Sequence, residues 1–370
     1  MNAIYFDYFA STPVLAEVVE TLYTDLQNPS LQANPSSLHA WGKYAQSSME
    51  SAKELILNSL NLPSNPVIFT SSATESIHLA ILGAIEAYNR PHYHLLSWKN
   101  EHSATLGALK RAQQLYDAEI HLLNSIDLIE LENILKQTPI FLISMSLVQH
   151  ELGIINDWAA ICQLAQKYGC LLHLDASQAI GKMPITWSYC PDYITLPSHK
   201  CFGPKGIAAL YIAEHQYRHL APIMIGGGQQ YGIRPGTPSV ILIRAMSQVY
   251  NIINTELPLW INIVQNYAQQ IKQAINELNI IQYGSDEDRI SQLCYLHIPE
   301  EYNSLWNKNI MSSQGSACGH NRGQLSPALL QLGLHPNIIA NSYRVSWSHL
   351  TTESEITQLI HILKMIFQHR

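Results

Sequence analysis

The sequence predicts an α/β fold: a mostly parallel sheet with helices on both faces, followed by a smaller α+β unit. Two observations predict it. Between Val67 and Ile212, short apolar runs alternate with amphipathic stretches, the pattern of successive βαβ units. Beyond Pro258 the chain changes character, with a long amphipathic run over 259–278 and then the isolated strand-like runs QLCYLHI and YRVSW. The expected division is a large domain over 15–255 and a small domain made of 1–14 together with 256–370.

Each element has its own signal. Residues 1–14 read as an extended arm, with a helix from about Leu15, a loop over 31–39 and a second helix from about Trp41 to Leu60. VIFT is a strand; after Thr74, Ile77, Ile81, Ala84, Ile85 and Tyr88 keep helical spacing. YHLLSW, EIHLL and PIFLISM read as further strands, with a helix over about 103–115 between the first two. Asn156 is the expected cap of a helix over Asp157–Tyr168, which Gly169 ends ahead of the strand CLLHL. A strand over 192–196 follows, and GIAALYI is expected as an edge or returning strand. The last helix opens with a capping box, Thr352 with Glu355.

With 370 residues, 47% of them hydrophobic and 13% charged, the chain can bury a substantial core. A formal charge of −7 argues against nucleic acid or an anionic membrane surface as a partner. No apolar run approaches the roughly 20 residues that span a bilayer, and no signal peptide is evident, so a cytoplasmic location is expected. The six cysteines (162, 170, 190, 201, 294, 318) form no CxxC pair, so neither a disulfide framework nor a metal site is expected.

The chemistry concentrates between His173 and Gly206. One strand ends at Asp175; the next leads into Ser198, His199 and Lys200 ahead of a Gly-Pro turn. Taken alone, these residue types also fit a loop cap and a solvated charge. Together, an acid at one strand end and a lysine beside a Ser-His pair at the next suit a pyridoxal phosphate site. The lysine amine would carry the cofactor aldehyde and the acid would face the ring nitrogen. Thr74, Glu75 and Ser76 stand where a strand hands over to a helix, a place that can take a phosphate, although taken alone an ordinary Ser/Thr cap fits it better.

The blocks FDYFASTP (6–13), NPSSLH (34–39), FTSSATES (69–76), Glu101-His102, Glu151 to Gly153, Asp175 to Gln178, His199-Lys200, 226–237 and GSAC (315–318) resemble, in order, the class V aminotransferase family. Within it they are most similar to the group I cysteine desulfurases. The resemblance covers about residues 3–365. It implies pyridoxal-phosphate fold type I, with a seven-stranded large-domain sheet, and conversion of L-cysteine to L-alanine. It assigns the cofactor to Lys200, Asp175, Gln178, Ala73, Thr74, His150, Ser198 and His199, with His102 over the ring and also catalytic. Arg344 and Asn34 would take the substrate carboxylate, and Cys318 would receive the sulfur as a persulfide. Thr237 would reach a second subunit's phosphate, which implies a homodimer. The partner is a sulfur-acceptor protein, an iron–sulfur scaffold or a sulfur carrier.

The pattern breaks in places. His150 stands for the family's usual Asn, Pro197 for a serine, Ser198 and Ser72 for glycines, Phe9 for an alanine and Gln230-Tyr231 for Glu-Arg. Two other readings therefore stay open: another class V lyase or aminotransferase, and a catalytically weakened paralogue acting as a binding or regulatory subunit.

Overall fold

The computed structural model describes residues 3–187, 189–284, 288–315 and 325–368, and Cys318 lies outside them. The chain divides into two compact units: residues 13–147 with 156–255, and residues 1–12 with 148–155 and 256–370. Strand β1 (Ile4–Tyr5) belongs to the smaller unit, and helices α1 (Ala16–Leu26) and α2 (Ala40–Ser59) open the larger.

The larger unit then follows the expected alternation: β2 (Val67–Thr70), α3 (Ala73–Tyr88), β3 (His94–Trp98), α4 (Ser103–Tyr116), β4 (Glu119–Leu123), α5 (Leu128–Gln137), β5 (Ile140–Ser146), α6 (Trp158–Tyr168), β6 (Leu171–Asp175), β7 (Tyr193–Leu196) and β8 (Ala208–Ile212). These strands make one seven-stranded sheet in the order β2-β8-β7-β6-β5-β3-β4. β4, β3, β5, β6 and β7 pair in parallel, while β8 is antiparallel to both of its neighbours. Two reversals cancel, so β2 runs with the parallel set, and six of the seven strands present their carboxyl ends along one edge of the sheet. GIAALYI is therefore a returning strand but an interior one; the open edges are β2 and β4.

Residues expected on both faces of a covered sheet are buried throughout β5, β6, β7 and β8. The core packs Ile77, Ile81 and Ile85 of α3 and Leu109 of α4 with Leu95, Leu142 and Leu210 of the strands. Two local details differ from expectation. Asp157, not Asn156, caps α6, accepting from the Ala160 N–H at 3.1 Å. Asn156 instead donates its amide N–H to the Ser146 carbonyl at 2.7 Å, tying the chain back to β5. Gly169 ends α6 at φ 68°, a left-handed position that favours glycine.

Helix α7 (Val240–Glu277) runs 38 residues with Pro258 inside it, so the proline does not break the helix. None of the described helices is long and apolar enough to cross a membrane.

The smaller unit holds β9 (Leu293–His297), α8 (Asn303–Asn309), β10 (Ile310–Met311), α9 (Pro327–Gln331), α10 (Pro336–Ala340), β11 (Ser342–Ser346) and α11 (Glu353–Phe367). β1 pairs in parallel with β10, and β9 lies antiparallel to β11. Phe6, Trp306, Val345, Trp347, Leu359 and Leu363 form part of its core. The capping box of α11 is present, with Thr352 and Glu355 bonding reciprocally. The segment 148–155, placed by the sequence reading in the large domain, groups with the smaller unit. The reason is local: Gly153 accepts from the Ile290 N–H, Ile155 donates to the Asp288 carbonyl, and Leu152 joins a cluster with Tyr283 and Tyr295.

Candidate active site

The carboxyl edge of the large sheet collects most of the expected residues. Asp175 is the last residue of β6, buried, and its Oδ1 accepts from the Ser177 N–H at 2.9 Å. Gln178 follows, also buried, in the turn after the strand. On the neighbouring strand, Thr195 of β7 stands in register with Asp175, so Ser198, His199 and Lys200 leave the sheet beside that acid. A tight turn folds them back, with the Cys201 and Gly203 N–H groups both donating to the Ser198 carbonyl. Pro197 costs this turn an N–H, yet its carbonyl accepts from the buried Tyr250 hydroxyl at 2.8 Å. The hydroxyl missing at 197 is present one residue later, on Ser198.

The start of α3 follows β2 at the same edge, with Ala73 and Thr74 as its first two residues and Thr74 exposed. Ser72 caps it through its hydroxyl, which accepts from the Glu75 N–H at 3.3 Å. Its φ of −166° is extended backbone, so the glycine of the family pattern is not required here. The helix start is fastened from the loop 226–237. Arg234 Nε reaches Glu75 at 2.8 Å, and the Gln230 side-chain amide both accepts from the Phe69 N–H and donates to the Phe69 carbonyl. Gln230 thus supplies a strand-like partner to the open edge of β2, and Tyr231 accepts from Lys53 at 2.9 Å. These contacts explain Gln230-Tyr231. Burial would raise the Glu75 pKa, but the Arg234 and Ser71 hydrogen bonds outweigh it and the net shift is downward. Thr237 lies at the exposed end of the same loop.

His102, after β3, caps α4: its Nδ1 accepts from the Ala104 N–H at 3.1 Å. That bond places the proton of the neutral ring on Nε2. His199 is held neutral, its pKa lowered to about 4 by burial and by the nearby charges of Lys200, Lys205 and Lys182.

Two ionisable groups that sequence reasoning did not assign belong to this edge. Glu101 is fully buried; its Oε1 accepts from the Ser146 N–H at 2.9 Å and the Ser146 hydroxyl at 3.1 Å. Burial, aided by the Asp175 charge, raises its pKa to about 7 against the pull of those bonds. Lys182 donates to the Lys200 carbonyl at 2.7 Å, and burial lowers its pKa to about 7. Nothing in the sequence marks either as buried. The signals were only their positions, one residue before His102 and four after Gln178.

The edge also carries unsatisfied polarity. Ser177 Oγ, Ser198 Oγ and Glu101 Oε2 are buried without a hydrogen-bond partner. Each such group costs about 1–3 kcal/mol unless a ligand completes it. Hydroxyls beside a carboxylate, a lysine and a helix start suit a flat, phosphate-bearing group with a carbonyl and a basic ring nitrogen.

The remaining residues are placed separately. Asn34 is exposed and its Oδ1 accepts from the Ser36 N–H at 2.9 Å, an Asx turn that leaves its amide nitrogen for a carboxylate. In the smaller unit, Arg344 is 2% exposed on β11. It donates to the His150 carbonyl at 2.8 Å and to Asp7 Oδ1 at 3.2 Å, and stands 5.9 Å from the Phe9 ring centre. Its Nε–H is buried without a partner, a donor suited to a carboxylate. His150 thus serves Arg344 through its backbone, a role in which a histidine does what an asparagine would.

A family model described as aminotransferase class-V matches residues 4–359. Similar curated proteins include the cysteine desulfurase IscS of Pectobacterium atrosepticum, 31% identical over 371 residues, with 98% of this chain and 92% of that protein covered. The IscS of Pasteurella multocida is 32% identical over 372 residues at the same coverage. Among solved structures, SspA in complex with cysteine aligns at TM-score 0.82 and 28% identity, covering 94% of this chain and 99% of that one. A NifS-like protein shares the fold at TM-score 0.88 and 24% identity over 100% of both chains.

Proposed function

The chain belongs to the class-V aminotransferase family, and we propose that it is a pyridoxal-phosphate-dependent cysteine desulfurase. The observation that carries the reading is the juxtaposition of Asp175, at the end of β6, with Lys200, in the turn after the neighbouring parallel strand β7, at an edge with buried unsatisfied hydroxyls. Relatives named as cysteine desulfurases over nearly the full length supply the reaction.

When bound, the cofactor supplies an electron sink for the charge left at the substrate Cα. Lys200 would hold the cofactor aldehyde, and its amine, once free, would take the substrate Cα proton. Asp175 would pair with the ring nitrogen and keep it protonated, and Gln178 would bond the ring hydroxyl. The α3 start with Ala73 and Thr74, the Ser198 hydroxyl and the neutral His199 would receive the phosphate. His102 would offer its Nε2–H to the ring. Arg344 and Asn34 take the substrate carboxylate, and His150 is proposed at the cofactor as well as behind Arg344. The Cys318 thiolate would attack the substrate sulfur; the carbon–sulfur bond breaks with its electron pair passing to Cβ, which takes a proton, alanine leaves, and the sulfur remains as a persulfide on Cys318. An acceptor protein, an iron–sulfur scaffold or a sulfur carrier, then takes it. A homodimer in which Thr237 reaches the partner subunit's phosphate, a large domain and a small domain, and a cytoplasmic location complete the proposal.

The test is the visible spectrum of the purified protein with pyridoxal phosphate, before and after L-cysteine, with sulfide and alanine assayed alongside. A cofactor band that shifts with cysteine and yields both products supports the reading. A band without sulfide points to another class V reaction. No band makes the chain a binding or regulatory subunit.

A further inference from the structure

The opposite end of the large sheet carries a second cluster that the desulfurase reading does not use. His94 is the first residue of β3 and Glu119 the first of β4, paired directly across the parallel ladder. His121 lies two residues beyond Glu119, so all three side chains share one face of the sheet. Their donor atoms converge: His94 Nδ1 and His121 Nε2 are 3.1 Å apart, His94 Nδ1 and Glu119 Oε2 are 3.5 Å apart, and His121 Nε2 and Glu119 Oε1 are 3.5 Å apart.

These separations have a specific meaning. Ligands at about 2.0–2.1 Å on a tetrahedral zinc ion lie about 3.3–3.4 Å from one another. The two imidazole nitrogens stand close to this spacing, and each lies 3.5 Å from a different oxygen of the Glu119 carboxylate, so rotation of that exposed side chain brings one oxygen to the third corner of a tetrahedral face. The two histidine side chains are 26% and 22% exposed and Glu119 is 65% exposed, so the fourth position opens to water. Among the described residues this is the one group whose His, Cys, Asp or Glu donors converge closely enough to hold a metal ion.

The geometry points to a divalent transition-metal site at His94, Glu119 and His121, with zinc as the fitting ion: two neutral imidazoles, one carboxylate and a water. On the rings, seating the ion requires that the proton shared between them move to the other nitrogen of its ring, so no redox partner is involved. The site bridges β3 to β4, the edge strand, and fastens the end of the sheet remote from the strand carboxyl ends. Its role is structural, and sulfur chemistry does not pass through it.

The test is zinc titration by calorimetry with melting curves, in a Cys318→Ser background so that the nucleophilic thiol does not compete. One zinc per chain is expected, with a rise in melting temperature that tracks zinc concentration. His121→Ala and Glu119→Gln should each weaken binding at least ~10-fold, the scale on which altered metal surroundings act, and abolish the rise. In the Cys318-intact protein, Glu119→Gln should leave alanine production from cysteine unchanged. Glu119→Gln is conservative and mostly exposed, so it keeps the test open should His121→Ala fail to fold. No zinc bound, or zinc bound equally well by Glu119→Gln, overturns the proposal and leaves a hydrogen-bonded histidine pair.

Discussion

Two buried cations are kept in opposite ways. Lys182, in the larger unit, gives its amine to the Lys200 carbonyl, and burial lowers its pKa to about 7. Arg344, in the smaller unit, is paired with Asp7 and the His150 carbonyl. Desolvation also governs other groups of the larger unit, with His199 and His173 driven neutral and Glu101 raised to about 7. At Arg344 the charge is instead fixed by a countercharge. Burial of the first kind suits groups that must give and take protons. Pairing of the second kind suits an anchor for a substrate carboxylate.

The sharpest way to break this contrast is at Lys200 itself. Lys200→Ala should abolish the cofactor's visible band and lower sulfide release by at least ~100-fold, the usual scale for a lost proton carrier. Retained turnover would remove Lys200 from the chemistry.

The anchor comes next. Arg344→Lys keeps a positive charge but loses the planar fork, so the KM for cysteine should rise roughly 10- to 100-fold, the value of about 1.5–3 kcal/mol in charged hydrogen bonds. An unchanged KM in steady-state kinetics would mean that Arg344 holds only Asp7 and β11.

The neutral histidines set the acid limit. His173 sits between the Ser144 and Thr195 hydroxyls, and burial lowers its pKa to about 3 from 6.5. Between those values the unfolded chain binds the extra proton, so stability rises with pH and is lost as pH falls from 6.5 toward 3. Denaturant unfolding should show a loss of a few kcal/mol across that window, in which His199 also takes part. His173→Gln should flatten much of it; an unchanged slope would place the acid sensitivity elsewhere. Lys182 makes the mirror case: with its pKa lowered to about 7 from 10.5, stability should climb from pH 7 to 10.5, and Lys182→Met should remove that climb.

The smallest expected effect is a cap. Asp157→Ala should cost about 1 kcal/mol in denaturant unfolding, whereas an Asn156→Ala effect would report on the bond to Ser146 instead.

Particular residues show what the sequence made legible. PIFLISM announced a buried strand because a sheet covered on both faces needs apolar side chains at every position. Asp175, Lys200 and Thr74 could be placed at strand ends from periodicity, but their assignment to a cofactor came from the resemblance to the class V family, since each type there also fits a cap or a solvated charge. Asn156 and Asp157 are both cap-forming types, so only the geometry separates them. The interior place of β8 was not legible, since strand order is decided by pairing between residues distant in sequence. Glu101 and Lys182 were missed because a charged residue reads as solvated until its neighbours are known. His94 and His121 carry no local motif; a ladder between two strands brings them together.

The central claim is that sulfur leaves cysteine onto this chain. The direct measurement is mass spectrometry of the peptide containing Cys318, after brief reaction of the cofactor-loaded protein with L-cysteine and alkylation. The account expects one added sulfur atom on Cys318, removed by a thiol reductant, and alanine in matching amount. Alanine formed while Cys318 carries no added sulfur would contradict it.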